Sequence, residues 1–179
     1  MPDDIELVRR ISRGDEASFR ALVDRESRYL YGIAHALTGN AADAEDVVQE
    51  TFAAVLTSRY RGESSVRTWL VGILVRRAGM VHRLRHRQRW HRSLQAEAAD
   101  GPTVELTTPP GTAGTEARLD LATMLQSLSP EHRAVIVLRE LEGLTYEEMA
   151  AVLGVPQGTV ESRLYRAREE LRKRFRGYL

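Results

Sequence analysis

Residues 144–175, LTYEEMAAVLGVPQGTVESRLYRAREELRKRF, read as two helices joined by a tight turn, the second of them long and basic. Thr145 followed three residues later by Glu148 is a capping-box pattern, so the first helix is predicted to begin near Tyr146. Met149, Ala150, Val152 and Leu153 supply its inward face, and Gly154 supplies a left-handed stop. Pro156 stands where the next helix begins, with φ already set and no hydrogen bond forfeited. Val160, Leu164, Ala167 and Leu171 then recur at spacings of four, three and four, which is one helical face. Thr159, Ser162, Arg166 and Lys173 fall on the opposite face. Polar and cationic side chains there, on a helix braced by a short partner, suit a major-groove reader, and the pattern predicts a helix-turn-helix. Glu161 and Glu169 stand among the bases. They repel phosphate unless they accept from a cytosine amino group or pair with a neighbouring Arg.

The whole chain has 179 residues, enough for one domain or two small ones, and a net charge of only +1. General polyanion affinity is therefore not the argument; the distribution of charge is. Seven Arg, three His and no acid lie between Arg76 and Arg92, and seven Lys or Arg face two Glu between Arg163 and Arg176. Acids gather at Asp3, Asp4 and Glu6 and along Asp43, Glu45, Asp46 and Glu50. Two basic surfaces and one acidic helix imply nucleic acid at two places and a separate, basic protein partner at a third. The absence of Cys excludes disulfides, thiolate zinc sites and cysteine redox sensing within the chain. The longest apolar run, Trp69 to Val75, is far short of the roughly 20 residues of a membrane span. The N-terminus carries acids where a signal peptide carries bases, so a cytoplasmic protein without membrane insertion is expected.

Along the chain, Ile5, Leu7, Val8 and Ile11 predict a short amphipathic helix ending at Gly14. Asp15 caps a second, whose apolar face runs from Phe19 to Leu37 and stops at Gly39. Asn40 caps a third, with Asp43 at the box position; Val48, Phe52 and Val55 face the core, and Asp43, Asp46 and Glu50 lie about 200° away. Residues 58–65, SRYRGESS, are a polar loop. Ser64 or Ser65 caps a fourth helix with Val66, Leu70, Ile73, Val81 and Leu84 on one side. If that helix is continuous, Arg76, Arg83 and Arg87 align within about 40°, while Arg77 points into the apolar stripe and must snorkel or find a buried partner. Residues 93–115, rich in Gly, Pro and Thr, read as a flexible linker. Helical pattern resumes at Leu119, and Ser129-Pro130 opens the helix that leads through Gly143 into the helix-turn-helix. The fold class is all-α: a four-helix bundle over 1–92, the linker over 93–115 and a helix-turn-helix domain over 116–179.

The elements GDEASFRALV (from Gly14), DAEDVVQETF (from Asp43), YRGESSVRTWL (from Tyr60) and LSPEHRAVIVLRELEGLTYEEMAAVLGVPQGTVESRLYRAREEL (from Leu128), in that order, resemble an extracytoplasmic-function (ECF) sigma factor of the sigma-70 family. The resemblance covers both helical domains. It implies a sigma-2-like first domain that binds core RNA polymerase and melts the -10 promoter element. It also implies a sigma-4-like second domain that reads the -35 element, and control by an anti-sigma factor. Asp43, Asp46, Gln49 and Glu50 match the helix that docks on polymerase. The loop residues Tyr60, Arg61, Gly62, Glu63 and Ser64 match the segment that captures a flipped base, chemistry that needs hydrogen-bond donors and nearby cations. With Arg76, Arg83 and Arg87 they form the expected -10 set; Trp69 either faces melted DNA or packs in the core. Thr159, Ser162, Arg163, Tyr165 and Arg166 form the expected -35 set.

Two departures from the family pattern stand out. Where relatives often carry Ile-Ala-Arg-Asn followed by Asp, this chain has Ile73, Leu74, Val75 and Arg76, with Met80 near the expected acid. At Glu161 relatives usually carry Lys or Arg. His82, His86 and His91 have no carboxylate or thiol nearby and suit a solvated or phosphate-facing role better than zinc. His35 and His132 read as isolated packing or surface residues. No metalloprotease, Walker or nucleophile-elbow motif is present, so neither catalysis nor a cofactor is expected. A stand-alone helix-turn-helix regulator on a palindromic site is the alternative. An all-α enzyme or metal-binding bundle is the third.

Overall fold

The computed structural model describes residues 2–95 and 121–175, and these contain helices but no strand. Four helices, α1 (Pro2–Ser12), α2 (Glu16–Thr38), α3 (Ala41–Val55) and α4 (Val66–Gln95), precede the undescribed stretch. After it come α5 (121–126) and α6 (Pro130–Ile136), which continues as one π-helical turn over Val137–Leu141. The helix-turn-helix follows as α7 (Tyr146–Leu153) and α8 (Gln157–Arg174). Helix α4 runs three residues past the point where a linker was expected to start, and most of that segment lies outside the described residues.

Capping chemistry sets these boundaries. Asp15 accepts from the Ala17 and Ser18 amides, and its hydrogen bonds, the Ser18 hydroxyl's first, hold its carboxyl below the usual range. Ser65, rather than Ser64, caps α4 by accepting from the Thr68 amide at 3.0 Å. Both halves of the Thr145–Glu148 box form, and Gly154 ends α7 at φ 65°. Gly39 is doubly constrained. It ends α2 at φ 80°, and a Cβ there would stand 2.3 Å from the Gln126 side chain.

The front bundle packs α2, α3 and α4 around Leu22, Leu30, Val47, Val55, Leu70 and Leu74, all fully buried. Val135, Leu138, Met149 and Leu164 are equally buried in the rear group of α6, α7 and α8. The two cores are continuous, because α7 and α6 pack onto α4 and α2. A Cβ on Gly72 of α4 would lie 3.5 Å from Val152 of α7, so the small residue allows close approach.

Polar contacts fasten the rear group to the front bundle. Arg133, 4% exposed, has no carboxylate partner among the described residues; it donates to the carbonyls of Leu125, Gln126 and Leu128 and, across the junction, to Leu37 in the last turn of α2. The negative ends of α2 and α5 thus converge on one guanidinium, which keeps its charge solvated by carbonyl dipoles. Gln126 donates to Ala36 O at 3.2 Å, and Arg76 donates to Val152 O at 3.1 Å. On the other side, buried Glu26 accepts from Arg25 and Arg67. The Arg67 guanidinium lies 4.4 Å above the Tyr29 ring, and the Tyr29 hydroxyl stands 2.7 Å from each carboxylate oxygen of Glu142.

Candidate nucleic-acid and partner interfaces

On α3 the acidic face divides. Asp43 is 7% exposed and serves the helix start: its amide donates to Asn40 Oδ1 and its Oδ2 accepts from Asn40 Nδ2. At that exposure Asp43 is off the outer surface, contrary to its expected place among the partner-binding carboxylates. Asp46, Gln49 and Glu50 are exposed together, and Ala53 and Leu56 extend the strip, Leu56 being 57% exposed. The sequence reading passed over Leu56, whose signal was an apolar residue immediately after the acidic helix. Arg77 finds its partner here, with Nη1 3.6 Å from Glu50.

The polar loop is pinned at both ends. Tyr60 lies against Trp69 with ring centroids 5.1 Å apart, its hydroxyl donates to Ser64 O, and burial raises its pKa. Trp69 is half-buried at the edge of the core. Gly62 takes φ 75° over Ile5, where a Cβ would meet the Ile5 side chain at 2.9 Å. Arg59, Arg61 and Glu63 project into solvent, and the hydroxyl of half-buried Ser64 turns back to Ser65 O. Arg59 is a cation that the sequence reading did not single out.

Along α4, Arg76 and Arg83 border an open cleft of about 620 Å³ whose walls also include Val75, Met80, Leu153 and Arg163. Two residues of the expected -10 set and one of the expected -35 set therefore share a cleft. Arg76 is tied to Val152 O, and Arg163 pairs with Glu131 at 2.9 Å. The side chains of Arg87, His82, His86 and His91 lie outside the described residues.

On α8 the outer face carries Gly158, Ser162, Tyr165 and Arg166, all exposed, with Tyr165 at 69%. Thr159 and Arg163 are half-buried on its flank. The Ser162 hydroxyl donates to Thr159 O at 3.0 Å. Arg168 pairs with Glu140, Arg172 with Glu169, and Glu170 with both Arg174 and His132. An exposed aromatic beside exposed cations on the outer face of a helix-turn-helix has the chemistry for base-edge or methyl contact and phosphate contact at once. Among the described residues no cluster of three His, Asp or Glu is placed to hold a metal, and no helix is long and apolar enough to cross a membrane.

Two family models match the chain. Residues 22–90 match the family model "Sigma-70 region 2" and residues 118–171 match "Sigma-70, region 4". An ECF RNA polymerase sigma factor, SigE of Mycolicibacterium smegmatis, is 38% identical over 89% of this chain, which spans 63% of that relative's length. The ECF RNA polymerase sigma-E factor of Haemophilus influenzae is 36% identical, covering 91% of this chain and 90% of its own. Among solved structures, CnrH in complex with the cytosolic domain of CnrY superposes with a TM-score of 0.64 at 27% identity, over 98% of this chain and 99% of CnrH.

Proposed function

For a chain that belongs to the sigma-70 family of RNA polymerase sigma factors, in its ECF branch, we propose the role of a promoter-specificity subunit. It binds core RNA polymerase through the exposed strip Asp46, Gln49, Glu50 and Leu56. It reads the -35 element with the outer face of α8, and it engages the -10 element with the 58–65 loop and the Arg side of α4. It works in the cytoplasm, beside polymerase, and catalyses nothing itself. The observation that carries this reading is the pairing, in one chain, of an exposed carboxylate strip on α3 with an exposed Tyr-Arg face on α8.

The compact arrangement has a consequence for promoter binding. A chain of this size folded into one body has a radius of gyration of about 16 Å. Elements centred at -10 and -35 are separated by about 25 base pairs, or about 85 Å along the duplex. The closed form cannot touch both, and in it Arg76 is spent on Val152 O. Occupying both elements therefore requires the front and rear helical groups to separate while remaining in one chain. The closed form is accordingly the one that polymerase and promoter must open. An anti-sigma factor that grips both halves would hold it shut, and the similar CnrH is seen with a second protein's cytosolic domain bound.

The test is transcription. The purified chain is added to core polymerase and a promoter library, and start sites absent without it are expected. No new starts, with tight palindrome binding in the absence of polymerase, would replace this reading with a stand-alone regulator.

A further inference from the structure

The reading helix α8 carries three acids, and the structure treats one of them differently. Glu169 is neutralised by Arg172 and Glu170 by Arg174, and His132 Nδ1 lies 3.1 Å from the other Glu170 oxygen. Glu161 has no cationic partner among the described residues; its Oε1 accepts from Gln157 Nε2 at 3.0 Å, a neutral donor one turn earlier. Both side chains are exposed, and both belong to the first turns of α8, the part of a recognition helix that meets base edges. Between them Gly158 is exposed, with nothing among the described residues within 4 Å of where its Cβ would stand, so this end of the helix is open at its surface. An unneutralised carboxylate here repels phosphate, and it equally repels guanine O6 and N7 and thymine O4. Only exocyclic amino groups are attractive to it. Cytosine offers N4–H₂ alone in the major groove, whereas adenine presents the acceptor N7 beside its amino group.

We propose that Glu161, oriented by Gln157, is a specificity-determining residue that accepts a hydrogen bond from a cytosine amino group in the -35 element, making a C·G pair at one position a requirement of this protein. The proposal rests on the sigma-factor reading above. Gln157 engages Oε1, and no bond to Oε2 is formed among the described residues, which leaves that oxygen to accept from a base. Discrimination comes as much from rejecting the acceptor edges of the other bases as from the bond to cytosine.

The experiment is transcription by core polymerase with the full chain on templates randomised across the -35 element, reading base preference at each position. Wild type is expected to favour cytosine about tenfold at one position. Glu161→Ala should flatten that position to within about twofold and leave the others as they were. Glu161→Arg should turn it to guanine, and Glu161→Gln, isosteric at an exposed site, should admit adenine as well as cytosine. Gln157→Ala should weaken the preference without changing its identity. The proposal is overturned if wild type shows no cytosine preference anywhere in the element. It is equally overturned if Glu161→Ala raises output on all templates alike, the behaviour of a merely solvated charge. Should wild type give no -35-dependent starts at all, the sigma-factor reading itself fails, a result distinct from either of these.

Discussion

Replacing Tyr29 by Phe removes one hydroxyl and keeps the ring on which Arg67 rests. That hydroxyl is the front bundle's contact to Glu142, 2.7 Å from each oxygen, across the junction of the two halves. A hydrogen bond to a charged group contributes about 1.5–3 kcal/mol. Both partners are only half-buried, and solvent screening brings the figure to about 1 kcal/mol. The closed-to-open ratio should then fall about fivefold. Because the chain has no Cys, two introduced at exposed Arg20 and Lys173 accept a fluorophore pair specifically, and single-molecule transfer efficiency counts the two populations. A pH series adds a second axis. Burial, partly offset by Tyr29 and Arg67, lifts the Glu142 carboxyl above its ordinary 4.5. The closed form therefore binds this proton more tightly than the open form. Its contribution to closing is complete below pH 4.5 and is lost as pH rises through the lifted value. Tyr29→Phe, by deleting a downward pull, moves that loss to higher pH, and Glu142→Gln abolishes it. An unchanged population in Tyr29→Phe, with both helical groups intact by circular dichroism, would refute the view that this polar bridge holds the halves together.

Further outcomes follow from the surfaces. Reversing charge at Asp46 and Glu50 together should weaken association with core polymerase by more than about tenfold in a folded protein, measured by fluorescence anisotropy. Thr145→Ala removes the side-chain half of the α7 capping box and should lower stability by about 1 kcal/mol in denaturant melts, with -35 binding reduced in parallel. Arg166→Ala has two separable signatures on a -35 duplex. A lost base contact costs about 1–3 kcal/mol and relaxes one position, whereas a lost phosphate contact lowers the salt slope by about one. Neither change would remove Arg166 from the interface.

The helices and their ends were legible because their causes are local. Asp15, Gly39, Asn40, Thr145–Glu148 and Gly154 each act within one turn, and the structure forms every one of these caps. The helix-turn-helix and its outward face were legible for the same reason: a period of 3.6 assigns each side chain a direction without reference to the rest of the chain. Direction is not exposure, however. Asp43 lies on the acidic side of α3 and is nonetheless buried, with its carboxylate turned back to accept from Asn40. Arg77 had two open fates, a buried partner or an outward reach, and it reaches outward to exposed Glu50 on a neighbouring helix. What the sequence could not express at all is the junction. Tyr29 and Glu142 are 113 residues apart and Arg133 and Leu37 are 96 apart, and nothing in the spacing of either pair marks them as partners. Such contacts depend on how two finished helical groups meet, a matter of shape and of which helix ends leave carbonyls unsatisfied. Local residue order thus determined the elements and their faces. Tertiary packing alone decided which of those faces are free for polymerase and promoter, and which are occupied by the protein itself.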